Sequence, residues 1–356
     1  MGRKSRVVVA MSGGVDSSVG AYLLKKKGYD VIGITIKTWA SDECRDEKSK
    51  GCCSIRDIDD ARAVARKIGI PYYVMDLSSD FKEKVIDHFI DEYLTGRTPN
   101  PCIECNRHIK FGILLEKAKE LETDFIATGH YARKGFDERE NKFFVYEAVD
   151  ADKDQSYVLF GLTQGQLSKT LLPIGELRKK EVRVIAEKLG LRVFDKPDSQ
   201  EICFVKSNYG DFVKSSAPDR LPGSGHFVNA LGEIVGTHEG SHLFTVGQRK
   251  RIKITHEKPY YVIAVDAAKN EVQVGFEEEL SKETMTVNRI NWLLNPRLGP
   301  IAVKIRSRHL KADAEITEIN SNRVHLRFRI PQKAVTPGQA AVFYDGNRVL
   351  GGGWID

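Results

Sequence analysis

Arg6-Val-Val-Val-Ala-Met-Ser12-Gly-Gly-Val-Asp-Ser-Ser18 decides how this chain is read. The apolar, β-branched run from Arg6 to Met11 has the length and residue types of a buried strand. Val15 to Lys27 follows as a helix, which Gly28 stops. Between strand and helix lie only small and hydroxyl-bearing residues. The glycines let backbone N–H groups come close to a phosphate. The helix N-terminus adds positive potential, and Ser12, Ser17 and Ser18 add hydroxyl donors. No lysine follows the glycines, so this is not the GxxxxGK[ST] loop of γ-phosphate chemistry. Amides and hydroxyls suit a leaving pyrophosphate. Asp16 is a candidate Mg²⁺ ligand, since Mg²⁺ on phosphates usually takes one or two carboxylates. The competing reading is a plain strand-to-helix turn capped by serine.

The pattern repeats beyond the loop. Val31–Ile36, Tyr72–Met75 and Phe125–Thr128 read as further strands. Helical spacing joins Ile55, Ile58, Ala61, Ala65 and Ile68, then Phe81, Val85, Phe89 and Tyr93, then Phe111, Leu114, Leu115, Ala118 and Leu121. Strands alternating with helices imply an α/β class: a parallel sheet with helices on both faces and ligands at the carboxyl ends of the strands. After about residue 208 the pattern changes. Pro218–Gly225 is rich in turn residues, and strand-like runs follow at Tyr260–Val265, Glu271–Gly275, Ile301–Ile305, Arg323–Ile330 and Ala340–Tyr344. The expected organisation is a catalytic domain over residues 1–208, a small central domain over 209–277 and a C-terminal β-barrel over 278–356.

The bulk properties agree with a folded enzyme of several domains. The 356 residues are 41% hydrophobic and 29% charged, and no apolar run is long enough to span a membrane. A signal-peptide core is absent near Met1, so a cytoplasmic location without membrane association is expected. The net charge is +6, and residues 278–356 hold 12 Lys and Arg against 8 Asp and Glu. That surplus suits a phosphate-rich partner.

Six cysteines stand at 44, 52, 53, 102, 105 and 203. Cys105, in Pro99-Asn-Pro-Cys102-Ile-Glu-Cys105-Asn106, is expected just before a helix beginning near Asn106. There the helix N-terminus, Arg107, His108 and Lys110 would favour a thiolate. Cys203 lies in Asp198-Ser-Gln-Glu-Ile-Cys203-Phe204. Two reactive thiols suit sulfur transfer, one carrying a persulfide and the other releasing the sulfur or resolving the resulting disulfide. Zinc or redox use of the Cys102–Cys105 pair and a structural, buried Cys203 are the alternatives. Cys44, Cys52 and Cys53 occupy the polar stretch Ser41–Ser54, read as a loop near the substrate entrance or a metal or redox site.

The phosphate loop resembles that of the PP-loop ATP pyrophosphatases, whose fold is of the adenine nucleotide α-hydrolase-like kind. Further stretches stand in order: Gly96-Arg-Thr-Pro-Asn-Pro-Cys102 continuing to Phe111, Ala127-Thr-Gly-His-Tyr131, Lys153-Asp-Gln-Ser-Tyr157, Ile202-Cys-Phe204, Thr245-Val-Gly-Gln-Arg-Lys250 and Thr336-Pro-Gly-Gln-Ala-Ala-Val-Phe343. Together they resemble the MnmA-type tRNA-specific 2-thiouridylases along the whole chain. The resemblance implies a PP-loop domain, a small central domain and a C-terminal β-barrel. It implies ATP-dependent 2-thiolation of the wobble uridine, U34, of tRNA by a sulfurtransferase, with an upstream persulfide carrier or cysteine desulfurase as partner. ATP would meet Ala10, Met11, Ser12, Gly13, Gly14, Val15, Asp16, Ser17, Ile36 and Gly129. Cys105 would be the nucleophile and Cys203 the persulfide carrier. Asn100, Pro101 and Cys102 would meet the target base, and His130, Lys153, Asp154, Gln155, Arg306, Ser307 and Gln339 would contact tRNA.

Two departures bear on the site. A well-known form of the pattern has an aspartate, proposed as acid or base, where this chain has Cys102; a thiol is a poor substitute for it. Cys102, Cys105 and Cys203 could instead hold three irons of a [4Fe–4S] cluster. Arg249-Lys-Arg-Ile-Lys253 also replaces a glycine-richer run, adding charge for phosphate contact. An amide-forming PP-loop synthetase and a tRNA-binding protein with a degenerate loop are the rival functions. The first needs neither Cys105 nor Cys203, and the second predicts binding without turnover.

Overall fold

The computed structural model describes residues 3–38, 55–198, 202–205 and 208–356. The expectations for Cys44, Cys52 and Cys53 lie outside these residues. The chain divides into two units: residues 1–85, 102–206 and 347–349, and residues 86–101, 207–346 and 350–356.

The first unit holds the parallel sheet. Its strands β1 (Arg6–Ala10), β2 (Asp30–Lys37), β3 (Tyr72–Asp76) and β4 (Phe125–Thr128) match the expected ones to within a residue or two. The sheet order is β3-β2-β1-β4-β7, with every pairing parallel and β7 being the short Thr170–Leu171. Val7, Val8 and Val9 of β1 are fully buried, as a central strand covered on both faces must be. Helix α1 (Val15–Lys26) contributes Val19, Ala21 and Leu24 to a core shared with Val7, Val9, Val31 and Ala127. Helix α2 (Ile55–Ile68) adds Ala61, Val64 and Ala65 to it, and α3 (Lys179–Lys188) adds Val182 and Ala186. An antiparallel hairpin, β5 (Ala132–Asp137) with β6 (Lys142–Glu147), follows β4, and β6 also pairs with Arg348 and Val349. The helical periodicity alone did not anticipate that hairpin.

The second unit is rich in β-structure. A four-stranded sheet of order β10-β11-β8-β9 uses β8 (Gly225–Val228), β9 (Ile234–His238), β10 (Tyr261–Asp266) and β11 (Glu271–Gly275). Phe227, Phe244, Val262, Val272 and Val274 form its small core. The C-terminal part is a closed six-strand barrel: β12 (Ser281–Trp292), β15 (Arg323–Lys333), β14 (Ala312–Ile319), β13 (Gly299–Lys304), β16 (Ala340–Asp345) and β17 (Arg348–Ile355), with β17 returning to pair with β12. Strict alternation along β14 puts Ala312, Ala314 and Ile316 inside and Asp313, Glu315 and Thr317 outside. Closure removes the sheet edges that would otherwise recruit other chains.

Candidate functional site

The phosphate loop forms where β1 ends. Met11 N donates to Ile34 O at 2.8 Å and Met11 O accepts from Thr35 Oγ1 at 2.7 Å, so the residue that follows β1 is tied to β2. Gly13 then adopts φ 72°, which strains any residue with a side chain, and a Cβ there would meet Asp57 O at 2.3 Å. Helix α1 starts at Val15 with Asp16 in its first turn. Ser12 N donates to Ser17 Oγ at 3.2 Å, and Ser12 Oγ lies 3.4 Å from Ser17 Oγ. Ser18 Oγ donates back to Gly14 O at 2.8 Å and is fully buried, so its hydroxyl is spent within the first turn. Ser17, 3% exposed, also donates its Oγ to Gly14 O at 3.3 Å, so Ser12 is the exposed hydroxyl of the loop. Gly129 packs against the start of α1, where a Cβ would stand 2.6 Å from Ser17 N. Ala10 and Ile36 sit half-buried at the strand ends beside the loop. The expected ATP contacts thus belong to the carboxyl edge of one sheet.

Two lysines remote in sequence converge on this loop, and motif spacing did not reveal either. Lys196 Nζ donates to Gly13 O at 3.0 Å, to Asp57 Oδ1 at 2.7 Å and to Asp60 Oδ2 at 2.6 Å. Burial pulls the Lys196 ammonium down, but its bonds to Asp57 and Asp60 outweigh this and hold it above its ordinary value. Lys179 Nζ lies 2.8 Å from both oxygens of Asp16 and 2.6 Å from Asp198 Oδ1. Asp16 also accepts from Tyr131 Oη at 2.7 Å. Burial first, and then Asp16, push the Tyr131 phenol far above its ordinary value, so it remains a donor. Asp16 is the one carboxylate in the loop, and any cation it ligates must displace Lys179.

The cysteine segment departs from expectation. Helical turns begin at Pro101 rather than near Asn106, running Pro101–Glu104 and then a wider π-type stretch, Cys105–Ile113. Proline's fixed φ and missing N–H suit the first helical position. Cys105 consequently falls in the second turn, where the pull of the helix N-terminus has faded. It opens the π segment instead, a distortion frequent at functional sites. Glu104 is buried, with Oε2 3.1 Å from His108 Nε2 and 3.9 Å from Arg107 Nη1, so part of the positive charge expected to serve Cys105 is matched by a neighbouring carboxylate. Cys102 is exposed, while Cys105 and Cys203 are half-buried. None of these three is in a disulfide. Cys203 sits in a turn closed by Val205 N donating to Ile202 O at 3.1 Å, and Phe204 is buried against Phe81, with ring centroids 5.9 Å apart. Among the described residues no three His, Cys, Asp or Glu are placed to hold a metal ion, so Cys102, Cys105 and Cys203 do not gather as a [4Fe–4S] cluster requires.

The residues expected at tRNA fall into two kinds. Several are held by the protein itself. His130 is 7% exposed, its Nδ1 2.7 Å from Thr128 Oγ1, and burial holds its pKa well below the usual imidazole range. Asp154 accepts from Ala148 N, Ser156 N and Ser156 Oγ, and Gln155 Oε1 accepts from Tyr131 N at 3.0 Å, so both staple the loop behind the hairpin. Lys153 Nζ donates to Asp198 Oδ2 at 2.8 Å. In the second unit, Gln339 Nε2 donates to Thr98 O at 2.9 Å and Thr98 N donates to Pro337 O at 2.8 Å, fixing the backbone that leads into Asn100 and Pro101. Others face outward: Arg306 and Ser307 are exposed on the barrel, and Arg306 borders a groove of about 470 Å³ that also has Arg308, Lys311 and Arg329 on its walls. Arg249, Lys250, Arg251 and Lys253 are exposed as well.

Comparison with known proteins agrees with this architecture. Residues 5–207 match a family model described as a tRNA methyl transferase HUP domain, residues 210–276 a tRNA methyl transferase PRC-barrel domain, and residues 282–355 an aminomethyltransferase β-barrel domain. The chain is 49% identical to the tRNA-specific 2-thiouridylase MnmA of Symbiobacterium thermophilum, over 99% of this chain and 92% of that one. It is 47% identical to MnmA 1 of a Thermoanaerobacter species, over 100% and 99% of the two chains, and 47% identical to MnmA of Clostridioides difficile, over 99% and 98%. With 47–49% identity to these relatives over nearly the whole of both chains, and family models matched over all three segments, the chain belongs to the MnmA family of tRNA-specific 2-thiouridylases.

Proposed function

We propose that the chain uses ATP to replace O2 of the wobble uridine, position 34 of the tRNA anticodon, with sulfur. The observation that carries the reading is the pairing, within one unit, of a lysine-free loop of amides and hydroxyls with the thiols Cys105 and Cys203. Such a loop suits release of pyrophosphate, and an adenylated carbonyl oxygen is the group a sulfur nucleophile displaces.

O2 of the uridine attacks the α-phosphate, pyrophosphate leaves and the N3 proton is lost. The terminal sulfur of a persulfide on Cys203 attacks C2, AMP leaves with the original oxygen, and C2 becomes joined to Cys203 through two sulfurs. The Cys105 thiolate then attacks the Cys203 sulfur. The C2–sulfur bond becomes the thiocarbonyl, N3 regains a proton, and a Cys105–Cys203 disulfide remains, to be reduced by an external thiol before the next persulfide is loaded. A persulfide carrier or a cysteine desulfurase supplies that sulfur. Asp16 is the loop carboxylate that would hold Mg²⁺ on the phosphates, with Lys179 moved off its oxygens, and the ion would supply charge neutralisation there. The three thiols do not fit a shared iron–sulfur cluster, and no step runs through one.

The exposed Arg306, Ser307 and Arg249–Lys253 tract would meet tRNA phosphates, and Asn100, Pro101 and Cys102 the splayed base. Lys153, Asp154, Gln155, His130 and Gln339 act in this reading by holding the surfaces that tRNA meets. The domains at 1–208, 209–277 and 278–356 would then be catalytic, central tRNA-binding and barrel tRNA-binding. A tRNA substrate supports a cytoplasmic location; no helix among the described residues is long and apolar enough to cross a membrane.

The test is incubation with unmodified tRNA, ATP, Mg²⁺ and a persulfide donor, followed by nucleoside mass analysis. 2-Thiouridine formed with one AMP per base is the expected result. A methylated nucleoside, or pyrophosphate release that ignores tRNA, would sink the reading.

A further inference from the structure

Cys105 opens a helical stretch wider than an α-helix, Cys105–Ile113. The width shows in the hydrogen bonds: Leu114 N donates to Ile109 O, five positions back rather than four. Such a turn takes in one more residue than an α-turn, and an α-helix rotates by about 100° per residue. Ile109, Phe111 and Leu114 are each 1% exposed or less and fix the far end of the stretch. Relaxation to an α-turn would therefore swing Cys105 by about 100° against them. Turns of this kind are rare, and no proline stands between Cys105 and Ile113, so side chains outside the ladder hold this one open.

Two side chains do so, on the two residues that follow Cys105. Asn106, 1% exposed, donates from Nδ2 to Val158 O at 3.1 Å. Gln166 Nε2 donates to Arg107 O at 3.2 Å, and a Cβ on Gly112, five positions on, would stand 3.0 Å from that same carbonyl. Gln166 has a second task. Its Oε1 accepts from Thr163 N at 2.9 Å and Thr163 Oγ1 accepts from Gln166 N at 3.2 Å, a reciprocal cap on the short helix Gln164–Ser168. The cap needs only an oxygen, which glutamate supplies as well, whereas the bond to Arg107 O needs the amide N–H. Asn106 Oδ1 is buried with no donor among the described residues. An unpaired buried acceptor is a cost that an apolar residue would avoid, so the amide is kept for what its nitrogen does.

We propose that Gln166 and Asn106 are positioning residues for the Cys105 thiol, holding open the wide turn that aims it. The inference rests on the reading of Cys105 as a reacting thiol of sulfur transfer, but half of its test does not need thiolation to occur. Full-length wild type, Gln166→Glu, Asn106→Leu and Thr163→Ala are alkylated with limiting iodoacetamide. Cleavage after Glu104 separates Cys105 from Cys102, so peptide mass analysis reads each thiol. Gln166→Glu keeps the cap and loses the donor to Arg107 O, and Asn106→Leu trades one unpaired acceptor for another, so both should melt near the wild-type Tm. Both should change the Cys105 rate several-fold and leave the Cys203 rate alone. The two variants differ in charge, so a shared shift is not a field effect. In 2-thiouridine formation both should lose about tenfold to a hundredfold in kcat, as a misaimed group does, with KM for ATP and tRNA unchanged. Thr163→Ala breaks only the cap, so it should lower Tm and leave the Cys105 rate and kcat as in the wild type. A wild-type Cys105 rate in Gln166→Glu and Asn106→Leu, an equal shift in Thr163→Ala, or an altered rate with unchanged kcat overturns the proposal. A Cys105 rate that responds as expected in a protein that makes no 2-thiouridine refutes the proposed function and leaves the hold on the turn standing.

Discussion

Gly129 and Ser17 touch through their backbones: a Cβ at position 129 would lie 2.6 Å from Ser17 N and 2.8 Å from Asp16 C. Backbone at the first turn of a helix cannot yield as a flexible side chain does. Gly129→Ala should therefore displace the turn after β4 from the phosphate loop, costing about 1–3 kcal/mol as overpacking does and lowering kcat/KM for ATP by about tenfold or more. Gly165→Ala is the control, because a Cβ there meets nothing closer than Thr163 Oγ1 at 4.0 Å. Thermal melts and ATP kinetics on the two variants check this, and equal behaviour would refute it.

Cys105→Ser and Cys203→Ser should each reduce 2-thiouridine formation by about a thousandfold or more, as removal of a reacting group does, with tRNA affinity retained. Cys102→Ser should stay within about tenfold of wild type, since an exposed thiol is a poor acid or base at neutral pH and its loss removes little. Quantified 2-thiouridine against a tRNA filter-binding control separates these outcomes. A dead Cys102→Ser enzyme with normal tRNA binding would assign Cys102 a chemical task.

Lys196→Met removes the cation that joins Gly13 O to Asp57 and Asp60 and leaves two carboxylates facing each other. Because Lys196 is about a third exposed, the loss should be about 1–3 kcal/mol, below the figure for a fully buried pair. A fall in Tm together with a raised KM for ATP is expected, and Lys196→Arg should recover much of the Tm. No change in KM would mean that the loop keeps its shape without the clasp.

His130, His238, His242 and His309 are each held below the ordinary imidazole pKa, in every case first by burial. The folded rings resist protonation, whereas the unfolded rings take a proton near pH ~6.5. Above that pH both states are neutral and the histidines contribute nothing to the pH dependence. Below it the unfolded state binds more protons, so stability falls by about 1.4 kcal/mol per histidine for each pH unit until the folded ring also titrates. Tm should drop between pH ~7 and ~5, and His130→Asn should flatten that slope. A Tm independent of pH across this window would contradict the assignment.

Arg306→Ala should weaken tRNA binding uniformly across tRNA sequences and make the slope of log K against log salt shallower by about 0.7–0.9, the value of one phosphate contact. Affinity titrations at several salt concentrations measure it. An unchanged slope would remove Arg306 from the interface.

Much of the fold was legible because short-range rules write it. The run at Val7–Val9, the glycines and serines that follow, and the helical spacing of Ile58, Ala61 and Ala65 each report a local geometry. The parallel sheet of the first unit follows from them. Strands with weaker signals were missed. β12 mixes lysine, glutamate and threonine with Met285 and Val287, and β17 carries Gly351–Gly353, so neither looks like a strand until the barrel closes and supplies partners. The helix starts at Pro101 rather than near Asn106 because proline's fixed φ suits the first helical position, a signal the helical spacing of apolar residues does not carry.

The amino-acid sequence by itself determined the phosphate loop, the thiols at 105 and 203 and the family to which the chain belongs, because those depend on residue types at fixed, short spacing. Only the tertiary structure decided that Lys179 and Lys196 serve the loop, that Asp198 gathers Lys153 and Lys179, and that His130 is buried while Asp154 and Gln155 accept from backbone N–H groups. Asp16 and Lys179 are 163 positions apart, and a lone lysine at that distance looks like any solvated surface charge. Burying it is costly without carboxylate partners, and which carboxylates those are is settled only when the sheet brings α1 and α3 together.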